Sequence, residues 1–284
     1  METFVAAFTP VSSQHNASLQ SEQSEASVRP LIAGNWKMNG LAPQLRQIEA
    51  IAASVKAKPP LADILICVPS TLIARAAQCA GGRIGIGGEN CHSEMAGAFT
   101  GDISAEMLKD AGACAVIVGH SERRQHHGET DAMVAAKANA AWRAGLLAVI
   151  CIGETKSQRM DGKALSVCGD QIAGSVPDGM TLSASAVAYE PLWAIGSGHT
   201  PTSEQIAEVH AHIRRCLVVR LGAAGREVRI LYGGSVKPSN ACEILAVPEV
   251  GGALIGGASL KATDFEAIVN AVSKRAESSL AALA

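Results

Sequence analysis

The sequence has no surplus of charge of either sign: 24 basic residues face 26 acidic ones among 284, for a formal net charge of −2. So weak a field excludes a general affinity for nucleic acid or an anionic membrane, and any positive charge for an anionic ligand must be local. There is no apolar run approaching the roughly 18 residues that a membrane helix needs, so the chain reads as a soluble, cytoplasmic protein. Its 8 cysteines form no CxxC pair and have no histidine at zinc-finger spacing. That excludes a structural zinc site and predicts buried, reduced thiols. Whether one of them, such as Cys151, responds to oxidants depends on exposure and pKa.

Before Arg29 there is no lysine or arginine at all. A secretory signal wants an early positive charge and a longer apolar core, and a mitochondrial transit peptide wants arginine and few acids. Here Glu2, Glu22 and Glu25 stand among Ser, Gln and Ala. Residues 1–28 are read as a disordered extension. Residues 29–284 are read as a single domain, because 48% hydrophobic and 18% charged residues suffice for one large core.

From Leu31 onward short apolar runs alternate with longer segments of helical spacing. The predicted strands are Leu31–Ala33, Ile64–Val68, Ile84–Ile86, Ala115–Val118, Leu147–Ile152, Ala186–Tyr189, Arg229–Tyr232 and Gly252–Ile255. Helical periodicity marks Gln44–Ala57, Ala132–Ala144, Ser203–Leu221 and Thr263–Ala281. Such alternation, without a second composition regime or a long linker, implies parallel strands joined by right-handed crossovers. Eight units close into a β/α barrel. The competing open sheet usually carries GxGxxG after its first strand, where this chain has GNWKMNG. The glycines of RIGIGGEN lack the helix start that a dinucleotide site needs.

Barrel chemistry sits at the C-terminal strand ends, which share one face. Those ends supply Asn35 and Lys37, His120, Glu190, Gly233-Gly234-Ser235 and Gly256-Gly257. Each alone has an ordinary reading: a solvated lysine, a structural histidine, a surface carboxylate, tight turns. Together they point to a site. Glu190 ends a strand and is followed by Pro191 and Gly196-Ser197-Gly198, the grammar of a reactive group beside a movable lid. The two late glycine turns expose backbone N–H groups where barrels bind phosphate, with Ser235 adding a hydroxyl and Gly196 and Ser197 further donors.

With a phosphate anchored there, Glu190 and His120 face the other end of a small substrate. The chemistry they suggest is proton abstraction beside a carbonyl, the developing enediolate being stabilised by His120 as hydrogen-bond donor and Lys37 as cation. Asn35 positions the lysine or the oxygen. A histidine where a strand ends and a helix begins is held neutral by the helix dipole. Glu122 orients Lys37, acts as a second acid, or fills an ordinary capping role in the first helical turn.

The segments GNWKMNG, GAFTGD, VGHSERR, CIGE, AYEPLWAIGSG, LYGGSV and LIGGASLK resemble, in this order, those of the triosephosphate isomerase family, and the likeness runs from about Leu31 nearly to the end. The resemblance implies a TIM barrel with Glu190 as catalytic base, His120 as a neutral electrophile, and Asn35 with Lys37 on the substrate. This division of roles is the family's established pattern and is carried over with the resemblance. Gly196, Ser235, Gly256 and Gly257 would bind the phosphate. The implied reaction interconverts dihydroxyacetone phosphate and D-glyceraldehyde 3-phosphate, in glycolysis and gluconeogenesis, with no cofactor or metal. The family is usually a homodimer in which the GAFTG loop inserts beside the neighbouring site. Departures from its pattern are Asp102 for glutamate, Glu89 for glutamine, Ser197 for threonine and His199 for lysine or arginine. The shorter Asp102 would weaken a link to Arg123. Two other readings stay open: a catalytically silent phosphosugar-binding paralogue, and an aldolase-like barrel using Lys37 as a Schiff-base nucleophile, for which a polar NWKMN turn is a poor setting.

Overall fold

The structure, a computed structural model, describes residues 28–180, 184–196 and 200–281, with side chains described as far as residue 273. The expected N-terminal extension up to residue 27, and the lid positions Ser197, Gly198 and His199, lie outside the described residues.

Eight parallel strands close into a barrel in sequence order: β1 Leu31–Asn35, β2 Asp63–Cys67, β3 Gly85–Gly88, β4 Ala115–Val118, β5 Leu147–Ile152, β6 Ser185–Tyr189, β7 Arg229–Tyr232 and β8 Gly252–Ile255. Closure is made by β1 pairing with β8, Leu31 opposite Gly252 through Gly34 opposite Ile255. The strands are buried along nearly their whole length, which is why they read as continuous apolar runs. Period-2 alternation then divides them into two clusters. Leu31, Ala33, Leu65, Ile117, Val149, Ala188 and Leu231 meet inside the barrel. Ile32, Ile66, Val116, Ile150, Val187 and Ile230 face outward onto the helices.

The helical ring comprises α1 Arg46–Ala57, α2 Ile73–Ala80, α3 Ala105–Asp110, α4 Ser121–His127, α5 Asp131–Arg143, α6 Lys156–Met160, α7 Ala164–Ser175, α8 Ser203–Leu221, α9 Ala241–Ala246 and α10 Ala262–Ala281. Their starts are set by local chemistry. Thr202 accepts from the Gln205 N–H while the Gln205 side chain accepts from the Thr202 N–H, a reciprocal box that fixes the first residue of α8. Ser104 and Thr130 cap α3 and α5 in the same sense. The predicted helix from Gln44 begins instead as a 3₁₀ turn over Ala42–Leu45, where Pro43 sits in the first turn. Among the described residues no helix is long and apolar enough to cross a membrane.

Two long-range contacts tie the ends of the barrel. At the C-terminal face the Trp36 indole, fully buried, donates to the Ser259 carbonyl at 3.1 Å across 223 residues. At the N-terminal face Asp63 accepts from Arg29 at 3.1 Å and from Arg229 at 2.8 Å, linking β1, β2 and β7. Burial draws the Arg229 guanidinium below its ordinary pKa, and Asp63 works against that shift. Removing the carboxylate strands a buried cation. Asp63→Ala should therefore cost about 1–3 kcal/mol of stability, read in thermal melts as about 2–4 °C per kcal/mol; an unchanged melting temperature refutes this role.

Candidate active site

The inward parity of the strands decides which groups reach the C-terminal mouth. On β1 the inner residues Leu31 and Ala33 lead to Asn35; on β6, Ala186 and Ala188 lead to Glu190; on β7, Leu231 leads to Gly233 and Ser235; on β8, Leu254 leads to Gly256. The fourth strand needs a device, because continued alternation would not aim residue 120 inward. Gly119, at φ 67°, breaks the pattern and turns His120 into the mouth. Eight of the residues singled out from the sequence, Asn35, Lys37, His120, Glu190, Gly196, Ser235, Gly256 and Gly257, line one cavity of about 370 Å³ together with Gly233 and Gly234, while Glu122 lies in the adjoining cavity.

Glu190 and His120 are in direct contact. His120 Nε2 lies 2.8 Å from Glu190 Oε1, and the second carboxylate oxygen accepts from the Ser121 N–H at 2.9 Å. Glu190 is 1% exposed, so these bonds satisfy a carboxylate that water does not reach. Its backbone is pinned by the Ile152 carbonyl at 2.7 Å. Its carbonyl oxygen presses against Gly153, where an added Cβ would fall 1.8 Å away.

His120 caps α4: its Nδ1 accepts from the Glu122 N–H at 3.2 Å. Burial opposes charge on this ring, yet the Glu190 carboxylate outweighs it and raises the pKa above the ordinary histidine value. The hydrogen bonds decide the resting state against that pull. A nitrogen that accepts a backbone N–H carries no proton, so the ring is assigned as neutral with its proton on Nε2, directed at Glu190.

Lys37 adopts φ 56°, a conformation rare outside glycine, with its N–H on the Asn35 side-chain oxygen at 3.1 Å. Asn35 thus positions the lysine, one of the two roles expected of it. The ammonium rests on Glu122 at 2.6 Å. Burial pushes the Glu122 carboxyl up, but the lysine hydrogen bond prevails and holds it below the ordinary range. Lys37 is therefore held against a carboxylate, a poor setting for the desolvated amine of a Schiff-base enzyme. Glu122 orients the lysine, one of the roles that its place in the sequence left open.

The other end of the cavity is formed in large part by glycine backbone, Gly233, Gly234, Gly256 and Gly257. An added Cβ at Gly233 would come 3.0 Å from Glu190 Cγ, whereas at Gly257 it would meet nothing within 4 Å and would fill space open to a ligand. Asn240 braces this rim: its side-chain oxygen accepts the Lys237 N–H at 2.8 Å and its amide donates to the Ser235 carbonyl at 3.1 Å.

At the root of the lid, Glu154 is fully buried and accepts from Trp193 Nε1 at 2.8 Å and the Tyr189 hydroxyl at 3.1 Å. Burial raises its pKa against those two donors. The sequence had offered Glu154 only as part of the CIGE segment. Cys151 lies buried at the end of β5, and burial followed by the nearby Glu190 charge pushes its thiol well above the ordinary range, the opposite of a reactive thiolate.

A second cavity of about 1190 Å³ adjoins Lys37 and is lined by Met38, Glu89, His92, Asp102 and Arg123 among others. Within the chain Arg123 pairs with Glu129. Asp102 instead faces His92, Oδ2 to Nε2 3.7 Å. Glu89 stands beside Lys37 with a buried Oε1 that has no hydrogen-bond partner among the described residues. Burial drives its pKa up to about 8, opposed in part by the Lys37 N–H.

A family model described as triosephosphate isomerase matches residues 30–272. Relatives named triosephosphate isomerase include those of Hyphomonas neptunium, 61% identical over 241 residues (84% of this chain, 97% of the relative), and Afipia carboxidovorans, 60% identical over 245 residues (86% and 98%). The crystal structure of triosephosphate isomerase from Bartonella henselae superposes with a TM-score of 0.82 at 53% identity, covering 87% of this chain and 100% of its own.

Glu89 yields a pH prediction. Its folded-state pKa is raised, so between the ordinary carboxyl range and about 8 the native chain holds a proton that the unfolded chain has released. Stability from this group is therefore complete at low pH and is lost as pH rises through that window. Glu89→Gln should flatten the decline and be the more stable protein above it. Denaturant melts on both sides of the window check this; parallel curves for the two proteins would refute it.

Proposed function

Since the chain belongs to the triosephosphate isomerase family, we propose that it interconverts dihydroxyacetone phosphate and D-glyceraldehyde 3-phosphate in this cavity, with Glu190 as base, His120 as electrophile and Lys37 and Asn35 on the substrate. The activity is that of an isomerase in glycolysis; no net electrons are gained or lost, and only protons must move, one between the two carbons and one between their oxygens. Glu190 takes the proton from the carbon beside the carbonyl, and the electron pair moves onto the oxygen as an enediolate. His120 donates from Nε2 to that oxygen, and Lys37 adds a fixed positive charge. Glu190 then returns the proton to the former carbonyl carbon, while His120 takes back a proton from the hydroxyl on the first carbon, whose oxygen becomes the new carbonyl.

The observation that carries this reading is the 2.8 Å contact of Glu190 with His120 at the end of a bare glycine-lined cavity. A carboxylate is a poor carbon base, and the reaction proceeds because the product charge is met by donors already in place, in a site from which water is kept out. Both oxygens of Glu190 are occupied at rest, so substrate must draw the carboxylate off His120 and Ser121 as it binds. The phosphate would sit on the backbone N–H groups of Gly196, Ser235, Gly256 and Gly257, held by a lid that hinges at Gly196, φ 67°.

Self-association as a homodimer fits the second cavity. Met38 is 97% exposed beside it, and the loop from Gly97 to Gly101 presents Phe99 outward, so the loop of a second copy would bury both and cover the back of Lys37. A cytoplasmic location accords with eight free cysteines, four of them buried.

The test of the reaction is isomerisation of glyceraldehyde 3-phosphate coupled to reduction of the dihydroxyacetone phosphate formed. Glu190→Gln should lower turnover by at least about a hundredfold with the melting temperature little changed; comparable turnover would remove Glu190 from the base role. For the dimer, sedimentation of Phe99→Glu should give a folded monomer of much reduced activity, where the parent sediments at twice the mass. A parent that is monomeric and fully active would overturn the assembly.

A further inference from the structure

We propose that Lys237 is the capture cation of this site, drawing the phosphate dianion to the rim before the backbone amides receive it. The proposal rests on the reading that the phosphate end lies at the turns after β7 and β8, and adds a side chain to it.

The argument begins with charge. The whole chain is slightly acidic, so its long-range field does not attract a dianion. The local field must do so, and the described groups lining the cavity carry few charges: Lys37, Lys237 and Glu190, with His120 assigned as neutral. Lys37 is already balanced by Glu122 at 2.6 Å. Glu190 contributes a negative charge. Without Lys237 the site would present a net negative charge to an approaching phosphate; with it the site is neutral, and its single unpaired cation stands at the phosphate end.

The second part is placement. Lys237 is exposed, and among the described residues no carboxylate pairs with it. It follows Ser235 by two residues, and the turn carrying both is built. Asn240 receives the Lys237 N–H on its side chain and returns its own N–H to the Lys237 carbonyl at 3.1 Å, while its amide holds the Ser235 carbonyl. Pro238 stiffens the next step. A flexible ammonium on a rigid rim suits guidance toward fixed backbone donors, because a strongly hydrated point charge needs no exact geometry to act over several ångströms.

The measurement is kcat/KM for glyceraldehyde 3-phosphate, and inhibition by inorganic phosphate, at low and high ionic strength for Lys237→Gln and Lys237→Arg. Lys237→Gln should lose roughly three- to tenfold in kcat/KM at low salt, keep its kcat, weaken phosphate inhibition by a similar factor, and converge on the parent at high salt. Lys237→Arg should retain the parent's values. Gly257→Ala, whose new methyl has no protein atom to strike, is the control for the phosphate end. If Gly257→Ala weakens phosphate inhibition while Lys237→Gln matches the parent at both ionic strengths, the Lys237 assignment is wrong and the phosphate end stands. If neither variant changes phosphate inhibition, the phosphate end itself is misplaced and this inference falls with it.

Discussion

Everything at the mouth of this barrel depends on β8 pairing with β1. Closure fixes a parity for every strand, and parity decides whether a side chain enters the mouth or the helical shell. Asn35, Glu190, Gly233 and Gly256 come from strands far apart in sequence, yet each is the next inward step of an apolar series. A slip of one residue in any strand would exchange that strand's contribution for its outward-facing neighbour. The buried interior thus holds the polar mouth in register.

The second constraint is electrostatic. Burying Glu190 almost completely is tolerable only because a ring nitrogen and a backbone N–H reach it, and burying His120 only because its other nitrogen receives an N–H from the helix it caps. Lys37 is treated alike, its backbone on Asn35 and its ammonium on Glu122. Each reactive group is therefore satisfied before any ligand arrives, and binding exchanges partners instead of creating charge. Preorganisation of this kind avoids the reorganisation that water would demand at the moment of reaction.

Much of the barrel was legible because fully buried parallel strands leave unbroken apolar runs, and the helix at Ser203–Leu221 because its capping residues are written in the sequence. The third strand runs two residues further than expected, to Gly88, since glycines carry no hydropathy signal and their pairing with Ala115 and Val116 is a tertiary fact. The strand-end residues were legible as chemistry. Their partners were less so: Glu122 stood between orienting Lys37 and an ordinary first-turn role, Glu154 entered only within the CIGE segment, and Lys237 was not singled out. A pair such as Lys37 and Glu122 lies 85 residues apart, and only the closed barrel brings its members together.

Gly153 touches no candidate ligand and carries no chemistry, yet the missing side chain there is what lets the Glu190 carbonyl lie against β5. Single-nucleotide changes in a glycine codon introduce alanine, serine, valine, aspartate and similar residues, all of which bear a Cβ. A screen scored only by loss of activity would thus rank this position beside the acid–base pair. The map of intolerance in such a protein traces the packing behind its reactive groups as much as the groups themselves, and a hole of one methyl's volume can be as indispensable as a carboxylate.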